Sequence, residues 1–202
     1  EPDAVAQLRE EHGIGAGPVV LYVSRLEPAN RVDLLVEATA ILAERVPDVT
    51  TVIIGNGDQE RERLVALARQ TGVESKTRFL SGIYNETVLA RWFAAADAYC
   101  YPENIGLSLI HAFWYGMPVV TSDRFECHNP EIAALRPGEN GMTYAHGDVA
   151  DLARALETIL RDDALRDAMS QQARRTVETE FSLARMVDGM EAAFRYANAL
   201  HR

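Results

Sequence analysis

Two stretches carry most of the chemistry legible in this chain. In Ser24-Arg-Leu-Glu-Pro-Ala-Asn-Arg-Val-Asp33, Arg25 leaves the end of an apolar strand, and Asn30 and Arg31 open the next helix. A guanidinium is the planar, permanently charged partner of a phosphate. The same arginines could instead pair with Glu27 or Asp33 on the surface, an arrangement worth little. The second stretch is Tyr101-Pro-Glu-Asn-Ile-Gly-Leu-Ser-Leu-Ile-His111-Ala-Phe-Trp-Tyr-Gly116-Met-Pro-Val-Val. There a strand ends, the chain turns at Pro102, and a helix begins near Gly106 or Leu107. The free N–H groups of that first turn, with the helix dipole, make an anion site. Gly106 allows a ligand close to the backbone. Glu103 precedes the helix and His111 lies one turn inside it, so both could border one pocket. A turn glycine and a packing histidine would read the same way.

Other signatures are partial or missing. Gly55-Asn-Gly-Asp58 follows a strand, but residue 60 is Glu, so the full dinucleotide fingerprint is broken and a nicotinamide or flavin site is disfavoured. The sequence has no GxxxxGK[ST] loop, no HExxH and no GxSxG elbow. His12, His128, His146 and His201 have no metal-ligand spacing, so no metal is expected.

The elements that must position these residues follow from periodicity. Short apolar runs at 18–24, 50–55, 77–81, 97–101, 118–121 and, more weakly, 141–145 read as strands. Between them, residues 31–46, 59–71, 85–96 and 107–115 read as helices; Leu34, Leu35, Ala38, Ile41 and Leu42 form one apolar stripe, and Asn85 is a cap. Helices at 148–161, 163–179 and 182–199 close the chain, the last with a stripe of Met186, Met190, Ala193 and Ala197. Alternating strands and helices predict an α/β fold, a doubly wound parallel sheet with extra C-terminal helices. Ligands of such sheets bind outside the carboxyl ends of the strands. The segments to interrogate are therefore 24–31, 55–58, 82–85, 101–108 and 122–131.

Composition narrows the class. The 202 residues are 48% hydrophobic and 25% charged, which excludes a disordered chain. The formal net charge is −10, which argues against general affinity for nucleic acid. Any bound anion must meet a local nest of basic groups and backbone N–H groups. Cys100 and Cys127 are too few for a disulfide framework, so two reduced thiols in a cytoplasmic protein are expected. No apolar run reaches the ~18 residues of a membrane span, and no signal peptide is visible.

The order of motifs resembles the C-terminal, nucleotide-sugar-binding domain of the group 1 retaining glycosyltransferases, which have the GT-B fold. Arg25-Leu26 looks like that family's "GRL…K" element, Val52-Ile-Ile-Gly-Asn-Gly57 like its "IxGxG" strand end, and Arg78-Phe-Leu-Ser-Gly82 like its "VxFxG". Asp97-Ala-Tyr-Cys-Tyr-Pro102 looks like "aDvfvlP", Gly116-Met-Pro-Val-Val120 like "GxPVV", and Glu139-Asn-Gly141 like its "xNG" hairpin. The resemblance runs from about Val19 to Phe194. The family's signature of two glutamates separated by seven residues reads here as Glu103 followed by His111, and its lysine falls at Asn30, beside Arg31.

The resemblance implies a Rossmann-like GT-B half that binds a nucleoside-diphosphate sugar, UDP or GDP, for metal-independent, retaining glycosyl transfer to an unknown acceptor, with no further cofactor. It implies that Arg25, Asn30 and Arg31 meet the diphosphate, with Arg31 in place of the lysine. The segment Asn104, Ile105, Gly106, Leu107 and Ser108 would bind the same phosphates through the backbone. Glu103 would face the donor sugar and count with Arg25 and Arg31 as catalytic. His111 would contact the ribose, Ile83 and its neighbours would lie against the base, and Gly55 would also belong to the donor-binding site. Residues 1–16 would be linker and short helix, and 182–202 a terminal helix toward an N-terminal domain that carries the acceptor site. Any membrane contact would be peripheral and made through that domain. Alternatives on the same resemblance are a degenerate interaction module and a nucleotide-sugar epimerase relative.

Overall fold

The computed structural model describes residues 2–200; Glu1, His201 and Arg202, at the outer ends of the expected linker and terminal helix, lie outside the described residues. Six strands form one parallel sheet: β1 (Val19–Val23), β2 (Thr50–Ile54), β3 (Thr77–Leu80), β4 (Ala98–Cys100), β5 (Val119–Ser122) and β6 (Gly141–Tyr144). Their order is β3-β2-β1-β4-β5-β6, with every neighbouring pair parallel. The helices are α1 (Pro2–Glu11), α2 (Val32–Arg45), α3 (Asp58–Gln70), α4 (Glu86–Ala95), α5 (Leu107–Trp114), α6 (Val149–Arg161), α7 (Asp163–Thr179) and α8 (Leu183–Leu200).

The central strands β1 and β2 are buried almost throughout because both faces of the sheet are covered there, whereas the edge strand β3 is mostly half-buried and carries Arg78. All five residues of β2 are buried, as are the first four of β1. α2 lays Leu34, Leu35, Ala38 and Leu42 onto the sheet, and α6 adds Leu152, Leu156 and Ile159. At roughly 1.5–3 kcal/mol for each fully buried large side chain, these stripes are the main force holding helix to sheet. Asn85, Asp148 and Asp162 cap α4, α6 and α7 by accepting from backbone N–H groups at 3.2, 3.0 and 2.9 Å.

α2 begins one residue later than its sequence pattern predicts. Arg31 sits in left-handed conformation (φ 51°, ψ 42°) as the residue before the helix, after a 3-10 turn over Pro28–Asn30. α8 adds nothing to the core. Its stripe of Leu183, Met186, Val187, Met190 and Phe194 is exposed. Among the described residues, no helix is long and apolar enough to cross a membrane.

The strand order reverses between β1 and β4. Chains leaving these two strands diverge to opposite halves of the sheet and open a crevice at its carboxyl edge. Arg25 follows β1 and the turn into α5 follows β4, so sequence-distant segments meet at that point.

Candidate functional site

A cavity of about 260 Å3 occupies the crevice, lined by Ser24, Arg25, Glu27, Asn30, Tyr101, Asn104, Gly106, Leu107, Ser108 and Asn129. A smaller one of about 150 Å3 adjoins it, lined by Val23, Ser24, Arg25, Ile54, Gly55, Asn56, Gly82, Ile83 and Tyr84. Ser24 and Arg25 belong to both, so the two form one continuous trough. A larger groove, about 640 Å3, lies beside Leu26, Pro28 and the start of α3. Its charged lining is Asp58, Glu60 and Arg63, and Arg63 pairs with Glu60 at 2.6 Å. Net negative lining suits that groove poorly to an anion, whatever its size.

The larger cavity of the crevice is built for negative charge. Gly106 precedes α5 with no side chain capping the helix, so the first-turn N–H groups of Leu107 and Ser108 have no intrahelical acceptor. The macrodipole adds partial positive charge at that spot. A Cβ on Gly106 would come within 3.1 Å of Asn129 Nδ2, close enough to press on that side chain. Arg25 brings the full charge, its side chain 79% exposed and held only by Glu27 at 2.8 Å.

The smaller cavity depends on the two glycines after β2. A Cβ on Gly55 would fall 1.9 Å from the Ser24 carbonyl oxygen, and one on Gly57 2.4 Å from that of Leu26. These glycines let the β2 loop pass under the β1 loop. Asn56 ties the far wall, accepting from Gly82 N–H at 2.8 Å and donating to the Tyr84 hydroxyl at 3.0 Å. Ile83 and Tyr84 thereby present an apolar face and an aromatic ring, Tyr84 88% exposed.

Several expected residues take positions their spacing does not disclose. Asn30 is buried; its amide donates to the Tyr22 hydroxyl at 3.1 Å and the Arg25 carbonyl at 2.9 Å, and its oxygen accepts from Asn104 at 3.0 Å. It fastens the loop that presents Arg25. Asn104 is left-handed (φ 63°), a conformation asparagine tolerates better than most residues. Arg31 does not line the cavity; its guanidinium turns back to Asp33 at 3.2 Å. Ile105 is buried and gives its N–H to His128 Nδ1 at 3.2 Å.

Glu103 is also buried, 8% exposed, and points under the loop toward β5 and β6. His146 Nδ1 lies 3.0 Å from its Oε1 but out of line for a hydrogen bond, and that oxygen has no donor. His146 in turn contacts Ser122 and Arg124 at 3.2 and 3.3 Å. His128 is half-buried, and that burial lowers its pKa although its ring N–H has the Ser122 carbonyl as acceptor. The neutral ring is what the site needs, since Nδ1 must accept from Ile105.

His111 faces away from the phosphate cavity. Its Nε2 donates to Glu86 Oε1 at 2.9 Å, and the Tyr115 hydroxyl donates to the same oxygen. These two hydrogen bonds, the tyrosine's first, hold the Glu86 carboxyl below the usual carboxylate range. Tyr115 is pushed up to about 12, by burial and then by Glu86.

Sequence reasoning missed Ser24, Asn56, Tyr84, Tyr101 and Asn129 individually, although the strand-end rule pointed to the segments holding all five. Glu86, His128 and His146 gave no local signal, because their roles arise only from packing across the fold. Among the described residues, no group of three or more His, Cys, Asp or Glu is placed to hold a metal ion.

Comparison with known proteins adds four findings. The family model described as "Glycosyl transferases group 1" matches residues 5–176. A relative from Mycolicibacterium smegmatis, GDP-mannose-dependent alpha-(1-6)-phosphatidylinositol monomannoside mannosyltransferase, is 32% identical over 84% of this chain and 45% of its own length. Sucrose-phosphate synthase from Thermosynechococcus elongatus superposes with a TM-score of 0.80 at 26% identity, over 99% of this chain and 49% of that one. Anabaena Alr3699/HepE, solved with UDP and glucose, shares the fold at TM-score 0.82 and 21% identity, over 96% of this chain and 52% of that one. The chain spans about half the length of the curated relatives it matches.

Proposed function

This chain belongs to the group 1 glycosyltransferases, and from that premise we propose that it is the donor-binding half of a retaining, metal-independent transferase that takes a nucleoside-diphosphate sugar. The observation that carries the reading is the continuous trough between Ser108 and Ile83, with Arg25 at its middle. A diphosphate fits the end where α5 begins, and an aromatic base fits the end formed by Ile83 and Tyr84. The relative's GDP-mannose and the UDP of the fold neighbour support a nucleoside diphosphate and leave both bases in play.

In this reading the chemistry is that of a leaving group. When the bond from the anomeric carbon to the phosphate oxygen breaks, negative charge accumulates on the departing diphosphate. Arg25 and the N–H groups of Leu107 and Ser108 are fixed before the reaction and stabilise that charge without reorganising. Asn30 and Asn104 hold the loop that keeps Arg25 in register. Glu103, buried beneath the loop, acts through its negative charge, which offsets the oxocarbenium charge of the donor sugar. The acceptor and its base belong to the part of the protein outside this chain.

The test is a thermal-shift panel with UDP, GDP, UDP-glucose and GDP-mannose. A ligand that binds only the native state raises stability by about 2.7 kcal/mol at a hundredfold excess over Kd. One of the nucleotides should raise Tm and AMP should not. No shift with any of the four at millimolar concentration rejects the reading.

A further inference from the structure

The phosphate cavity contains a negative charge as well as a positive one. Among the described residues its lining carries two charged side chains, Arg25 and Glu27, and they pair with each other at 2.8 Å. Binding of a diphosphate employs the cation; the carboxylate stands in the same cavity and has the ligand's own sign. Its backbone is fixed on both sides. Leu26, before it, is buried and donates its N–H to the Asn56 carbonyl at 2.7 Å. The carbonyl of Glu27 itself accepts from Asn30 N–H at 3.0 Å, at the start of the 3-10 turn over Pro28–Asn30. The side chain, 42% exposed, can turn away from Arg25 but remains part of the cavity wall.

We infer that Glu27 is a specificity-determining residue that sorts ligands by charge, disfavouring the free nucleoside diphosphate relative to the nucleoside-diphosphate sugar. The inference rests on the donor-binding reading above. A diphosphate that engages Arg25 displaces Glu27 from its partner and leaves an uncompensated carboxylate beside the phosphates. The repulsion grows in proportion to the ligand's charge. In a sugar nucleotide each phosphate carries about one negative charge. When the bond from the anomeric carbon to the phosphate oxygen breaks, the electron pair stays on that oxygen. The phosphate so freed is terminal and has a second pKa of about 6, so the product carries about three negative charges where the donor carried about two. The two side-chain charges of the cavity cancel, and the uncapped start of α5 supplies only about half a positive charge. The third negative charge therefore meets no matching cation. The spent diphosphate leaves more readily than the donor does, and Arg25 has Glu27 to return to.

The experiment measures Kd by calorimetry for UDP and UDP-glucose and for GDP and GDP-mannose, at about pH 8, where the terminal phosphate carries its second charge. The pair that binds wild type better is then followed through the variants. Glu27→Gln keeps the shape and removes the charge. It should tighten the diphosphate by roughly sixfold and the sugar nucleotide by roughly twofold, so the ratio of the two constants moves by roughly threefold, on the scale of an exposed charge pair. Glu27→Asp keeps the charge, and its ratio should lie nearer to wild type than to Glu27→Gln. In an Arg25→Ala background Glu27→Gln should move the ratio the same way, because the repulsion does not pass through the arginine. The pair is exposed, so Glu27→Gln should melt as wild type does without ligand. If Glu27→Gln weakens both ligands, Glu27 serves to hold Arg25 in place and the inference is overturned. If it tightens both by the same factor, Glu27 only competes for Arg25 and the discrimination by charge is overturned. If it changes neither while Arg25→Ala still weakens both, the donor site stands and this inference falls. If wild type binds none of the four ligands, the donor-binding reading falls and takes this one with it.

Discussion

Replacing Arg25 with alanine isolates the cation from the backbone donors of the same cavity. The side chain is 79% exposed and touches only Glu27, so its removal should cost the fold about 0–1 kcal/mol, the usual worth of a surface pair. Its contribution to binding is larger: a charge-assisted hydrogen bond contributes about 1.5–3 kcal/mol. Because the guanidinium stays largely in water, the lower end applies, and 1.4 kcal/mol corresponds to a factor of ten in Kd. At a nucleotide concentration of a hundred times the wild-type Kd, ligand stabilisation should then fall from about 2.7 to about 1.4 kcal/mol. For a chain of this size each kcal/mol moves Tm by roughly 2–4 °C, so a shift of roughly 5–11 °C should shrink to about half. Arg31→Ala is the comparison, since that guanidinium is turned to Asp33 and lies outside the cavity lining. The assay is a thermal melt with and without UDP or GDP, backed by calorimetry. The reasoning is refuted if Arg25→Ala keeps the wild-type Kd, or if Arg31→Ala loses more affinity than Arg25→Ala.

Two further outcomes test the scaffold. Burial lowers the pKa of His128 below its unfolded value of about 6.5, so its contribution to stability is complete above about pH 6.5 and is lost as pH falls through the depressed folded value. Tm should therefore decline on acidification from pH 7.5 to 5.5, less steeply in His128→Asn; equal slopes would remove His128 as the cause. Gly57→Ala should cost more than Gly72→Ala in urea denaturation. Both glycines have positive φ, 140° and 75°, and both pay strain of about 1–3 kcal/mol, but only at Gly57 would the new Cβ also strike a carbonyl oxygen, at 2.4 Å. Equal losses would mean that the Leu26 loop simply moves aside.

The elements were legible to within about a residue because a parallel sheet covered on both faces turns into unbroken apolar runs such as Val19–Val23, set off by Gly17 and Arg25. The strand-end rule then found the crevice, since Arg25 and Gly106 had to lie at one edge once β1 and β4 were adjacent. The direction of each polar side chain was not legible. The sequence offers Arg31 both Asp33 and a ligand, and only the structure shows its guanidinium turned to Asp33, from a left-handed backbone set by the turn before it. Asn30 reads as a weak phosphate ligand until Tyr22, eight residues back, and Asn104, seventy-four residues on, are seen to occupy its amide. The Glu86 and His111 pair spans 25 residues and two helices, and only the packing of α4 against α5 reveals it.

These side-chain directions share a physical cause with the chain's charge. At a formal −10, the protein cannot hold a diphosphate by general attraction, so the site must be assembled from groups that outweigh the surrounding carboxylates locally. Arg31 and Arg63, which stand nearby, are neutralised by Asp33 and Glu60. Arg25 alone lines the trough as a cation, and Asn30 serves it indirectly by fixing its carbonyl and hence its loop. The remaining positive potential must come from the uncapped start of α5, whose N–H groups carry no counter-ion and cannot be titrated. A site so divided should depend on salt only weakly, because one mobile charge is screened while the backbone dipoles, packed against the ligand, are not. Its affinity should depend more on the loop geometry at Gly106, Asn104 and Asn30 than on the number of basic residues nearby.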